Sequence, residues 1–312
     1  CNTIADGVYV EEAGGYVLTI APAQSNEGRA PTNGLDPTNV RCNTDATVDG
    51  VQFRLLAVNP LRFADLDASA TLFRNRLAYR CFGVEAREQS AADPWRNDPQ
   101  TYGLIDELRN SGLTDCDVPI ALIYWTSEGL RFVDLWAVRR RPLEPDALRD
   151  RAFQARARRL VEAEAMCAQF QQHLADLLTG SPAPTTVVAT DHFRHLPPFG
   201  LVPLQSLSLR GFSDATFFSG LPRRPRPGSG QTTPFIDHRL LGALREEALG
   251  HAPTDTTRKE FVWIYRPWQN VKAQDDGQTV QPMLAFASGL ITDMAISRFD
   301  MARFDYSNYT TC

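Results

Sequence analysis

A run of about 34 residues, from Pro145 to Leu178, constrains this chain more than any other segment. Leu148, Leu160, Val161, Met166, Phe170, Leu174, Leu177 and Leu178 recur along it at near-heptad spacing, which sets them on one stripe of a helix. Glu144-Pro145-Asp146 opens the run with a proline and acids in the first turn, where a missing N–H is no loss and negative charge suits the helix dipole. Gly180 and Pro182 close it. At 1.5 Å per residue such a helix reaches roughly 50 Å, more than the width of a small domain. It must therefore lie along something: another subunit, or strands of its own chain. The sequence offers no second helix of comparable length.

The strongest β signal is a hairpin, Val118 to Thr126 and Leu130 to Val138, about a Ser127-Glu128-Gly129 turn. Residues 7–20 alternate around Val8, Val10, Tyr16, Val17, Leu18 and Ile20, with Gly14-Gly15 between, and read as a shorter hairpin. Residues 21–50 are rich in Asn, Pro, Gly, Asp and Thr and read as loops, with turns at Asn33-Gly34 and Asp49-Gly50; Gly50 to Val58 reads as a strand. Residues 61–84 and Tyr102 to Leu108 read as helices. After the long helix, Thr185 to Thr190 reads as a strand, 222–234 as an exposed loop and Asp237 to Leu249 as a helix. Phe261 to Lys272 and Thr279 to Phe286 read as a hairpin about Asp275-Asp276-Gly277, and the aromatic tail from Arg298 as ordered by packing. The expected class is α+β: an N-terminal α+β part over 1–142, a long helix and connector over 143–182, and a mostly β part over 183–312.

Composition removes several function classes. The chain has 312 residues, 43% hydrophobic and 22% charged, which excludes a wholly disordered protein, a collagen-like repeat and a small disulfide scaffold. A net charge of -5 gives no general attraction to nucleic acid or to an anionic membrane. The longest apolar run, Val118 to Trp125, is far short of the ~18 residues of a membrane span. Six cysteines, Cys1, Cys42, Cys81, Cys116, Cys167 and Cys312, are spread without a C-x-x-C; Cys167 falls on the helical stripe as a buried thiol, and Cys42–Cys81 is the first pair to consider for a disulfide. Cys1 at the first position is what a mature lipoprotein carries, a trimmed chain being the alternative.

No P-loop, GxGxxG, HExxH or G-x-S-x-G is present, and no cofactor is expected. Asp191-His192-Phe193-Arg194-His195 groups two histidines with an aspartate, and Asp237-His238 is the natural third contributor to a metal or general-base site. In an extended segment His192 and His195 point to opposite faces, so ordering of the proline-rich turn that follows is the competing role. Arg139-Arg140-Arg141 could seat a phosphate or an acidic partner, with pairing to Glu144 and Asp146 as the local alternative. Trp125, Trp136, Trp263 and Trp268 lie in or beside strands, where aromatics serve as core, as interface anchors or as a sugar-stacking platform.

Three groups of segments belong together: IALIYW (120–125) with RFVDLWAVRRRP (131–142); HLPPFGLVPL (195–204); and FVWIYRPWQN (261–270) with FASG (286–289) and RFDMARFDYSNY (298–309). Together they resemble accessory proteins encoded beside phage-tail-like contractile injection systems of bacteria and archaea. The resemblance implies a non-enzymatic structural or adaptor subunit of such a particle, in a baseplate, collar or fibre-attachment role. Its partners would be other subunits or further copies of itself, in a cytoplasmically assembled or an extracellular particle. Pro197, Pro198 and Pro203 stiffen an apolar segment that would then present Phe199 and Leu201 to a partner, with Arg139, Arg140, Arg141 and Trp268 as further contacts. Phe199 and Leu201 plugging the chain's own core is the alternative. Two rival functions follow from other residues: a secreted or lipid-anchored carbohydrate-binding module from Cys1 and the tryptophans, and a metal-dependent hydrolase from His192, His195 and His238.

Overall fold

The computed structural model describes residues 13–27, 30–31, 42–43, 46–59, 64–68, 70–84, 103–109, 112–139, 151–180, 186–206, 212–224, 233–278, 280–292, 296 and 298–300. The class is α+β, as expected. Two compact units form: Cys1–Asp65 with Ala86–Arg139, and Leu66–Glu85 with Arg140–Cys312. The first unit ends at Arg139. Two assignments change. Helix α1 (Phe73–Cys81) belongs to the second unit although first-unit sequence flanks it on both sides, and the long helix is part of the second unit rather than a connector. Contacts distant in sequence decide both, and sequence pattern does not carry them.

In the first unit, β1 (Gly14–Glu27), β2 (Ala46–Ala57), β3 (Val118–Thr126) and β4 (Gly129–Asp134) make an antiparallel sheet of order β2-β1-β3-β4. The hairpin expected within 7–20 is instead the start of one 14-residue strand, with Gly14 opposite Trp125 and Gly15 opposite Tyr124; residues 7–12 lie outside the described ones. Pairing with β2 carries β1 on as a strand through 21–27, where a loop is expected, while its pairing with β3 ends at Ile20. The β1–β2 register runs unbroken from Tyr16–Ala57 to Glu27–Ala46. Polar cross-strand bonds sustain this end: Gln24 Nε2 donates to Asp49 Oδ1 at 2.8 Å, and Thr47 Oγ1 to Asn26 Oδ1 at 3.3 Å. Asp49-Gly50 is therefore mid-strand and not a turn. The β3–β4 hairpin is as expected, but β4 stops at Asp134, whose Oδ1 accepts from the N–H of Trp136 (3.1 Å) and of Ala137 (2.8 Å).

The inward face of this sheet buries Val17, Thr19, Ala21, Ala23, Leu122 and Asp134. Helix α2 (Leu104–Leu108) and the segment after it add Leu104, Leu108 and Leu113 to the buried residues. Asp117 ties that segment down. Its carboxylate accepts from Thr19 Oγ1 (3.0 Å), Thr114 N (2.8 Å), Thr114 Oγ1 (2.7 Å) and Arg54 Nη1, while Arg54 Nη2 donates to Gly112 O at 3.2 Å.

In the second unit, α3 (Arg151–Thr179) is the long helix; residues 145–150 lie outside the described ones. Strands of this unit include β5 (His195–Leu196), β6 (Phe199–Pro203), β7 (Arg223–Arg224), β8 (Phe235–Ile236), β9 (Thr254–Asp255), β10 (Val262–Pro267) and β11 (Met283–Ser288), beside a short antiparallel pair of Gln205–Ser206 with Phe212–Ser213. The sheet has order β7-β10-β11-β6, with β8 also beside β10, and β5 pairs with β9. Helix α4 (His238–Leu249) starts at Asp237, whose side chain accepts from Arg239 N. The pair expected over 261–286 is real, but α5 (Trp268–Asp275) joins its strands in place of a tight turn. Asn270 fastens this connection: its Nδ2 donates to Gln281 O (3.0 Å) and its Oδ1 accepts from Met283 N (2.9 Å). The strand expected at 185–190 is a helical turn at Ala189–His192. Within 222–234, Arg223 and Arg224 pair in parallel with Val262 and Trp263, while 225–232 and the tail 301–312 lie outside the described residues.

The long helix packs on its own strands. Phe170, Leu174 and Leu178 join Phe193, Phe217, Phe218 and Phe286 in one buried cluster; Ala163 and Cys167 join Phe199, Leu244 and Tyr265 in another. The Phe170 ring meets Phe286 edge-on at 5.3 Å and lies 5.0 Å from Phe193. Gly200 is required at this crossing, since a methyl there would sit 2.4 Å from the Phe286 ring and 3.1 Å from that of Phe170. Cys81 and Cys167 are buried thiols, so the Cys42–Cys81 bridge does not form, whereas Cys116 is disulfide-bonded. Burial pushes the Cys167 thiol up to about 12, which leaves it unreactive.

Candidate interaction surface

Strand β2 alternates apolar and polar residues, Val51, Phe53 and Leu55 against Gln52 and Arg54. Such alternation normally turns its apolar side to the core. Here it is inverted. Arg54 faces the buried Asp117, and Phe53 is 63% exposed on the other face, with Val51 and Leu55 exposed beside it. The pairing register extends this side across the sheet in rows: Phe53–Ile20–Val118, Leu55–Leu18–Ala121, Ala57–Tyr16–Ile123–Val133 and Gly14–Trp125–Leu130, with Val51–Pro22 at the end; within them Tyr16 and Ala121 are buried and Leu18, Ile20, Ile123 and Val133 half-buried. No residue in these rows is charged. Val118, Trp125 and Leu130 are exposed like the β2 side chains, and Gln24 with Asp49 at one end and Glu128 with Arg131 (2.9 Å) at the other make a polar rim. An apolar patch of this extent with a polar rim marks a contact surface.

The residues that the sequence puts forward for contact lie elsewhere. Pro197, Pro198 and Phe199 are buried in the second unit and Leu201 is half-buried, because β6 is a strand of that sheet, paired with β11 through Phe199–Ala287. Proline stiffening here serves the core. Arg139 sits 5.7 Å over the Trp136 ring, and Arg140 and Arg141 lie outside the described residues. Trp268 is partly exposed and meets Phe235 edge-on at 5.2 Å. The tryptophans divide between the units, Trp125 and Trp136 in the first, Trp263 and Trp268 in the second, where Trp263 Nε1 donates to Ile291 O at 3.1 Å.

His192 and His195 are both buried, and His238 stands largely exposed at the head of α4, 3.5 Å from Asp237. Among the described residues no group of three or more His, Cys, Asp or Glu is placed to hold a metal ion. The histidines belong to a seam where α1 docks. Asn75 Nδ2 donates to His195 O (3.1 Å) and Asn75 Oδ1 accepts from His195 N (2.9 Å). Tyr79 stacks on the His195 ring at 4.9 Å, and Arg74 Nη1 pairs with Asp176 at 2.7 Å. His173, which lies in no sequence motif, belongs here too, 4.8 Å from the Phe193 ring. Its signal is its place three residues after Phe170 on the buried stripe. Tyr79 Oη, His173 Nδ1 and His195 Nδ1 are buried with no hydrogen-bond partner among the described residues.

Burial holds all three imidazoles below their ordinary range; it carries His195 down to about 4 against the pull of Asp255, and on His173 the nearby Arg74 adds to it. Between pH 6.5 and about 4 the unfolded chain thus binds more protons than the folded one, so stability falls as pH falls through this window. His195 alone should account for about 3 kcal/mol. Urea unfolding at pH 7 and pH 4.5 checks this: the midpoint should drop at the lower pH, and His195→Phe should flatten the dependence. A midpoint equal at both would contradict it.

In comparisons with protein-family models, curated proteins and solved structures, no match to the chain was found. Among the described residues no helix is long and apolar enough to cross a membrane.

Proposed function

We propose that the protein is a non-enzymatic structural or adaptor subunit of a large protein assembly, and that it works through the outward face of the first-unit sheet. One observation carries this reading: β2 turns Val51, Phe53 and Leu55 to solvent while Arg54 turns inward to Asp117. Leaving such a face in water forgoes roughly 25 cal/mol for each Å² of apolar surface, and a protein partner would recover it. The sequence resemblance supplies the kind of assembly, a contractile phage-tail-like particle, with a baseplate, collar or fibre-attachment position. The test is ultracentrifugal fractionation of a native lysate, with negative-stain electron microscopy of the fraction that holds the protein. Pelleting with tubular, sheathed particles is expected. A protein that stays light in every fraction would overturn the proposal.

A further inference from the structure

We infer that the occupant of this face is the same face of a second copy of the chain, the two sheets packing as a two-fold sandwich. This rests on the assembly role proposed for the face and names what covers it. Four strands about 4.8 Å apart span ~19 Å, and five rows of residues at ~3.4 Å per residue cover ~30 Å along them. Rows of two to four residues fill about three-quarters of that rectangle, so the face is about 450 Å² per copy, or about 900 Å² buried in all, the size of a weak, reversible interface. A single helix, about 10 Å across, would leave half of it wet; an opposed sheet covers it whole.

Charge and shape favour a copy. The chain carries -5 overall, but the rows hold no charge, so face against face opposes no like charges. A two-fold axis across the strands through the Leu55–Leu18–Ala121 row reverses the row order. Leu55 then meets its own counterpart, and the large Phe53 meets the small Ala57 of the copy.

Sedimentation velocity of the purified full chain over a concentration range reads the result. Wild type should be a dimer, and Phe53→Lys should weaken association at least about 100-fold. Phe53 is exposed, so the melting temperature of this variant should match wild type and show that it folds. In a second variant, Leu55→Cys should form a covalent dimer on mild oxidation beyond any seen for wild type, while Arg131→Cys at the rim should not. A wild type that is monomeric throughout, or a dimer indifferent to both Phe53→Lys and Leu55→Cys, would overturn the inference. The assembly role fails separately. A monomer that still pellets with particles, and stops doing so as Phe53→Lys, gives the face to a different subunit.

Discussion

Asp117→Ala is expected to lower the unfolding free energy by about 2–4 kcal/mol, because it removes the buried carboxylate of a part-buried ion pair and leaves the Thr19 hydroxyl without its acceptor. The Asp117 side chain is fully buried, and Thr19, Thr114 and Arg54 all donate to it. Burial alone would raise its carboxyl, but those hydrogen bonds outweigh it and hold the group below the usual carboxylate range. In its absence the Thr19 hydroxyl is buried without its acceptor and Arg54 loses its counter-charge beneath β2. Asp117→Asn keeps one acceptor oxygen and the shape, so it should cost less. Urea unfolding followed by circular dichroism ranks the two; equal stability of Asp117→Ala and wild type would show that the pair does not hold the sheet.

Phe199→Ala should cost a further-reaching part of the protein about 3–5 kcal/mol, through transfer loss plus a cavity. Phe199 is 5% exposed and packs with Cys167, Leu244 and Tyr265 between α3, α4 and the sheet. A large fall in melting temperature with no change in association is expected. The opposite pattern, an unchanged melt and impaired assembly, would restore Phe199 to an interface.

These two residues also show what the sequence could and could not reveal. The long helix and the Val118–Asp134 hairpin were legible because each buries one regular stripe or pairs within a few residues of itself. The strand identity of 21–27 and 46–50 was not, since it depends on pairing across a polar stretch that reads locally as turns. The docking of α1 was equally hidden: Asn75 reaches His195, 120 residues away, and nothing near either residue announces it. Phe199 looked like a docking residue because proline rigidity suits a recognition loop and a core strand alike.

The contact surface was the least legible of all, for an instructive physical reason. Alternation reports that the two sides of β2 differ in polarity; it does not report which side meets the rest of the chain. The rule that the apolar side goes inward holds for an isolated monomer with one core. Here Asp117, on the loop before β3, draws Arg54 inward and leaves Phe53 out.

On the proposed reading, protein covers the outward sheet face in the native state. Hydroxyl-radical footprinting of Phe53, Leu55 and Trp125 tests it most directly, comparing protein in its native high-mass fraction with dilute purified protein. Protection of all three side chains in the native fraction, with labelling of the exposed Leu290 in the second unit unchanged, is the predicted result. Equal labelling of Phe53, Leu55 and Trp125 in both samples would contradict the account.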